Sequence, residues 1–193
     1  MAPYLCSPTL VDGAGASWSY NLTTLYTASG YSVGDGGGGN GTVDFNVCGY
    51  AAATCTPAIS VQANVGVAVR NYGGSPPSPS AQCYTVNGTQ VPCTGACDTL
   101  AVNAPVATLL DASNGGGGVS LQFQDTWPLA DEAVQCPSDP VTGVVGPFTL
   151  AINIACDPGT PPTQLAGVAF ATAAPCSFVI TGKSGAGCGA KAA

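Results

Sequence analysis

The chain is 193 residues long with a formal net charge of −7, only 3 Lys plus Arg and no His. So few cations cannot neutralise a run of phosphates, which excludes nucleic acid and an anionic membrane surface as partners. The missing His excludes Ser-His-Asp and Cys-His catalysis and any mixed Cys/His zinc site. Charged residues make up 7% of the chain, Gly and Pro number 27 and 16, and Ala, Val, Thr and Gly recur without a helical period. That composition predicts one all-β domain.

In chain order, residues 1–19 read as an N-terminal arm with Cys6 and Trp18. Met1 to Cys6 has neither a basic start nor an apolar core, although a secreted chain should have a leader; either Met1 is not the natural start or the leader lies upstream. No segment reaches the ~20 apolar residues of a membrane-spanning helix. Residues 20–26 predict a short strand or turn. Tyr31 to Val33 and Thr42 to Cys48 predict two strands around the glycine-rich turn Gly34 to Gly41. A phosphate-cradling loop would need a following helix and a Lys, and neither is there.

Ile59 to Gln62 and Val65 to Val69 alternate as further strands, and Ser75 to Ser80 is a stiff, polar, proline-rich loop. Cys83 to Cys93 folds about Asn87-Gly88, a strong short hairpin signal, and brings the two cysteines within about one residue of facing each other. Val119 to Phe123 alternates after the glycine run Gly115 to Gly118. Phe148 to Cys156 alternates cleanly, and Cys176 to Ile180 is a shorter run of strand formers. Short strands with regular turn signals predict a sandwich or flattened barrel.

Ten cysteines in a chain without a zinc pattern predict disulfides made in an oxidising compartment. N-x-S/T sequons at Asn21, Asn40 and Asn87 agree and predict N-linked glycans. Asp131-Glu132, with Asp125 and Asp139 nearby, is read as a solvated acidic loop. Adjacent acids point apart, whereas a glycosidase sets two across a cleft, and the spacing fits no EF-hand loop. No catalytic residue, cofactor or metal ligand is assigned. Trp18 and Trp127 are read as packing residues.

Several pieces, in order, resemble the mannose 6-phosphate receptor homology (MRH) domain family over about residues 18–188. They are Tyr20-Asn21-Leu22-Thr23-Thr24-Leu25, Phe45-Asn46-Val47-Cys48-Gly49, Leu121-Gln122-Phe123 leading towards Cys136, Ile152 to Asp157, and Cys176-Ser177-Phe178-Val179-Ile180 through Cys188. The resemblance implies a disulfide-rich flattened β-barrel or sandwich of two packed antiparallel sheets over residues 20–188. An inserted disulfide loop at about 70–103, not typical of the family, and a C-terminal tail at 189–193 are expected as well. The resemblance also implies the disulfides Cys6–Cys48, Cys136–Cys176 and Cys156–Cys188. The hairpin reading then adds Cys83–Cys93, and hence Cys55–Cys97; the alternative is Cys55–Cys83 with Cys93–Cys97.

Sugar-binding members of that family hold mannose with a Gln, an Arg, a Glu and a Tyr, because vicinal hydroxyls need rigidly held donors and acceptors. The Gln carries over to Gln62. Where the family has its Arg, this chain has Gly146-Pro147-Phe148. The loop expected before Cys176, Thr163 to Pro175, has no acid, and Phe178 stands where the Tyr would be. The lone Glu, Glu132, lies elsewhere, and the lone Arg, Arg70, follows Gln62 by eight residues. The expectation is therefore a non-catalytic secreted or secretory-pathway glycoprotein module with a structural or protein-interaction role, self-associating as a coat or fibre subunit would. The alternative is a mannose-type lectin in glycoprotein sorting or quality control.

Overall fold

The computed structural model describes residues 6–36, 41–53, 66–71, 82–86, 89–92, 97–101, 104–125, 148–174 and 177–192. The strands are β1 (Thr9–Val11), β2 (Ser17–Ser19), β3 (Tyr31–Gly34), β4 (Thr42–Phe45), β5 (Ala68–Asn71), β6 (Gln82–Val86) and β7 (Thr89–Pro92). They continue with β8 (Cys97–Ala101), β9 (Val106–Leu109), β10 (Gly118–Asp125), β11 (Phe148–Cys156), β12 (Ala166–Ala174), β13 (Ser177–Ser184) and β14 (Ala190–Lys191). Helix is limited, among the described residues, to short 3-10 turns at Leu22–Leu25, Gly115–Gly117 and Gly185–Gly187.

A five-stranded sheet, β12-β13-β11-β10-β9, packs on a four-stranded sheet, β3-β4-β5-β8. β8 lies against β10 and β11, and β3 lies against β12. The result is an all-β sandwich. Alternation explains the core: Val119, Leu121 and Phe123 of β10, Leu150, Ile152 and Ile154 of β11, and Phe178 and Ile180 of β13 point inward. They meet Val43 and Phe45 of β4 and the inward Leu22 and Leu25. Each such aliphatic or aromatic side chain contributes roughly 1.5–3 kcal/mol by leaving water.

The five-stranded sheet is antiparallel except for β11 and β13, which run parallel from Thr149 opposite Ser177 to Cys156 opposite Ser184. A parallel pair needs a crossover. Here residues 157–165 and edge strand β12 supply it, and the crossing loop is fastened to the end of β13. Asp157 N donates to Ser184 O (3.1 Å), Gly185 N to Thr160 O (2.9 Å), and Lys183 pairs with Asp157 at 3.1 Å.

The two chain ends come together in a third sheet, β1-β2-β14, so the segments read as an arm and a tail are paired to each other. Two disulfides brace the described residues. Cys6–Cys48 ties the N-terminal segment to the turn after β4, Cα–Cα 5.5 Å, and Cys156–Cys188 ties the end of β11 to the turn after β13, Cα–Cα 4.4 Å.

The segment expected as a loop before Cys176 is instead the nine-residue strand β12. Among its residues whose burial is described, only Phe170 is buried; Ala169, Ala171 and Ala173 are exposed. A strand whose outer face is alanine shows no polar contrast, so its alternation does not register in the sequence. The described part of the expected Cys83 to Cys93 hairpin is the antiparallel pair β6 and β7, with Val86 opposite Thr89.

Candidate functional site

The lone arginine lies on β5, where Arg70 faces Val43 of β4 and Asp98 of β8 in register. Its guanidinium reaches Asp35 of the β3–β4 hairpin, Nη2 to Oδ2 at 3.3 Å. Asp35 N donates to Gly41 O at 3.0 Å, which closes the hairpin base. Glycine at position 41 makes room for this, because a Cβ there would run into the Asp35 carboxylate as it is placed.

Beneath the guanidinium lie two rings from the other sheet. Arg70 Cζ is 5.7 Å from the centroid of Phe170 and 6.0 Å from that of Phe178. The rings stack on one another at 5.8 Å and 16°. A cation over such faces is attracted by the ring quadrupoles, and desolvation strengthens the attraction. The Arg70 and Asp35 side chains are only 19% and 9% exposed. Beside them Asn71 Nδ2 donates to Asp44 Oδ2 at 2.7 Å. The cluster therefore clamps the two sheets, with Arg70 Nη2 turned toward Asp35 and Asn71 toward Asp44.

Phe178, at the position where the family has its Tyr, is buried and serves as a platform for Arg70. Phe148 opens β11. Gln62, the carried-over sugar ligand, lies outside the described residues. So do Glu132, Asp131 and Asp139, the sequons at Asn40 and Asn87, and the pairings proposed for Cys55, Cys83, Cys93, Cys97, Cys136 and Cys176. Asn21 is described and exposed. Among the described residues no group of three or more His, Cys, Asp or Glu could hold a metal ion. No described helix is long and apolar enough to cross a membrane.

Sequence reading missed Asp35 as a partner of Arg70. Asp35-Gly36 has turn chemistry, and an ion pair across 35 positions leaves no mark on local pattern. What was available was scarcity: with a lone Arg in a chain that is 7% charged, a nearly buried position needs an acid.

A second closure lies by the paired termini. The Trp18 indole N–H donates to Asp12 Oδ2 at 2.8 Å, and its ring lies on Gly115, where any Cβ would overlap it. Tyr20 is buried and its hydroxyl donates to Gly115 O. Burial pushes the Tyr20 phenol above its ordinary value of 10.0. The Trp18 hydrogen bond, then the Ala16 N–H, hold the Asp12 carboxyl below 3.8.

These sheets and disulfides define an all-β, disulfide-braced sandwich. No family model matches the chain, and no curated protein matches it. Among solved structures it is similar to domain 11 of chicken IGF2R, at 16% identity and a TM-score of 0.45, with 93% of this chain and 90% of that one covered. It is also similar to domain 11 of the echidna mannose 6-phosphate/IGF2R receptor, at 14% identity and a TM-score of 0.41, with 93% of each chain covered. The strand registers above, not these overlays, carry the fold.

Proposed function

We propose that this chain is a non-catalytic recognition module of the secretory pathway or extracellular space, working through protein contacts, its own copies among them. The carrying observation is the closed state of the one described place where an Arg, an acid and aromatic rings converge. Arg70 is bound to Asp35 and seated on Phe170 and Phe178, with little of either charged group exposed. A sugar entering there would have to replace an existing charge-assisted bond. The expected self-association has a surface available to it. Val106, 67% exposed, lies on edge strand β9, and Val11, 62% exposed, lies on β1, which touches β9. Edge strands with apolar side chains are templates for strand pairing. Sedimentation velocity tests this: reversible association that Val106→Lys abolishes is expected, and a monomer at every concentration would remove the self-association.

The alternative, a mannose-type lectin, is favoured by one specific observation. Arg70 and an acid do meet beside Phe178, the position of the family's Tyr. In that reading Arg70, Asp35 and Gln62 would share a site on the glycan, and a glycan array with high-mannose structures separates the two readings.

A further inference from the structure

Asn21 is the N-cap of the 3-10 turn Leu22–Leu25, and its two amide atoms have different duties. Oδ1 accepts from Thr23 N at 3.3 Å and from the Thr23 hydroxyl. Nδ2 makes no hydrogen bond among the described residues. The residue is exposed, while Leu22 and Leu25 are fully buried. Thr24 Oγ1 donates to Pro162 O at 2.8 Å. The Asn-Leu-Thr segment is thus fixed at the surface, with the Asn oxygen turned to its own Thr and the Asn nitrogen left over.

We infer that Asn21 is an N-glycosylation site whose glycan rides on Nδ2 while Oδ1 goes on capping the turn. This rests on the secretory reading above. The co-reactant is a lipid-diphosphate-linked oligosaccharide. Nδ2 forms a C–N bond to its anomeric carbon, the C–O bond to the diphosphate breaks, the electron pair leaves with the lipid diphosphate, and Nδ2 gives up one proton. The product amide keeps Oδ1 and one N–H, so the cap survives the modification.

The chain contains its own contrast. Asn46-Val47-Cys48 has the related N-x-C form, but Asn46 is 1% exposed. Its Nδ2 donates to Thr27 O at 2.6 Å and Tyr50 O at 3.2 Å, and its Oδ1 accepts from Thr27 N at 3.3 Å. A glycan there would cost a buried donor its partners. Asn21 offers the geometry for a glycan, and Asn46 does not.

The test is the full chain, secreted from a eukaryotic host behind a cleavable leader, with peptide mapping after enzymatic deglycosylation in heavy-oxygen water. Labelled Asn-to-Asp conversion is expected at residue 21 and not at residue 46. Thr23→Ala and Asn21→Asp should each lose one glycan from the intact mass, while Thr23→Ser keeps it; Asn21→Asp retains the capping oxygen and controls for folding. An unmodified Asn21 in secreted protein with Cys6–Cys48 and Cys156–Cys188 formed would overturn the inference and leave the secretory reading standing. A chain that stays in the cell with these thiols free would overturn both.

Discussion

Trp18 and Arg70 each close part of the sandwich, by opposite means. Trp18 gives its N–H to the Asp12 carboxylate but lays its ring on bare backbone: Gly115 beneath it has no room for a Cβ, and the neighbouring Gly118 holds φ at 139°. Arg70 rests on side chains, the Asp35 carboxylate and the Phe170 and Phe178 rings. The first closure is set by steric exclusion and tolerates almost no substitution. The second depends on a charge pair and two rings, which substitution can weaken by degrees. Rigidity therefore belongs to the glycine-lined side by the termini, and capacity for change to the arginine side.

The sharpest way to break the comparison is at the glycine turn. In Gly118→Ala the new Cβ would lie 2.6 Å from Ile154 O at an already positive φ. Strain and overpacking together predict a loss of roughly 2–5 kcal/mol in chemical denaturation. A shift under about 1 kcal/mol would mean the turn relaxes and the closure is no more rigid than the other. Next comes the double substitution of Cys156 and Cys188 by Ala, which frees the end of β11 from the turn after β13 across a separation of 32 residues. A loss of about 2–4 kcal/mol is expected, chiefly through the unfolded chain. Thiol titration of the denatured, unreduced protein should find essentially no free thiol, and two or more would contradict the oxidising-compartment reading.

Arg70→Met tests the other side. It keeps much of the packing on Phe170 and Phe178 but takes the cation from Asp35, so about 1–2 kcal/mol should go. An effect as large as that of Gly118→Ala would erase the contrast between the two closures.

The smallest effect is one of acidity. Asp12 is held below its ordinary value of 3.8 by Trp18 first, and Asp157 by the Thr160 hydroxyl first and then Lys183. Asp111 is held down in the same way by the Ser113 hydroxyl and N–H. With the folded values depressed, the unfolded chain takes up these protons first. Their stabilisation is whole above 3.8 and is lost as pH falls through the lowered values. Denaturation midpoints should fall in that acid window, and Asp12→Asn should flatten the decline. Unchanged midpoints across it would show that these bonds do not bear on folding.

The sequence is most legible where one strand face is buried and the other wet. Val119 to Phe123 and Phe148 to Cys156 alternate because Leu121, Phe123, Ile152 and Ile154 meet the opposite sheet. β12 lacked that contrast because alanine occupies its outer face. β1, β2 and β14 are too short to carry a period and exist because the chain ends pair with one another. At the candidate site, Phe178 was legible as a position and not as a platform. Local pattern carries no record of a guanidinium arriving from β5, nor of an aspartate arriving from a glycine turn 35 residues earlier.

The proposal of protein rather than mannose recognition turns on Arg70 being engaged by Asp35 and the two rings. Calorimetric titration of the full chain with a high-mannose glycan tests it most directly. A monosaccharide site short of its partners has only a few kcal/mol to offer, so no saturable heat is expected below the millimolar range. A clear saturable isotherm, abolished by Gln62→Ala and by Arg70→Met, would contradict the claim and establish the lectin instead.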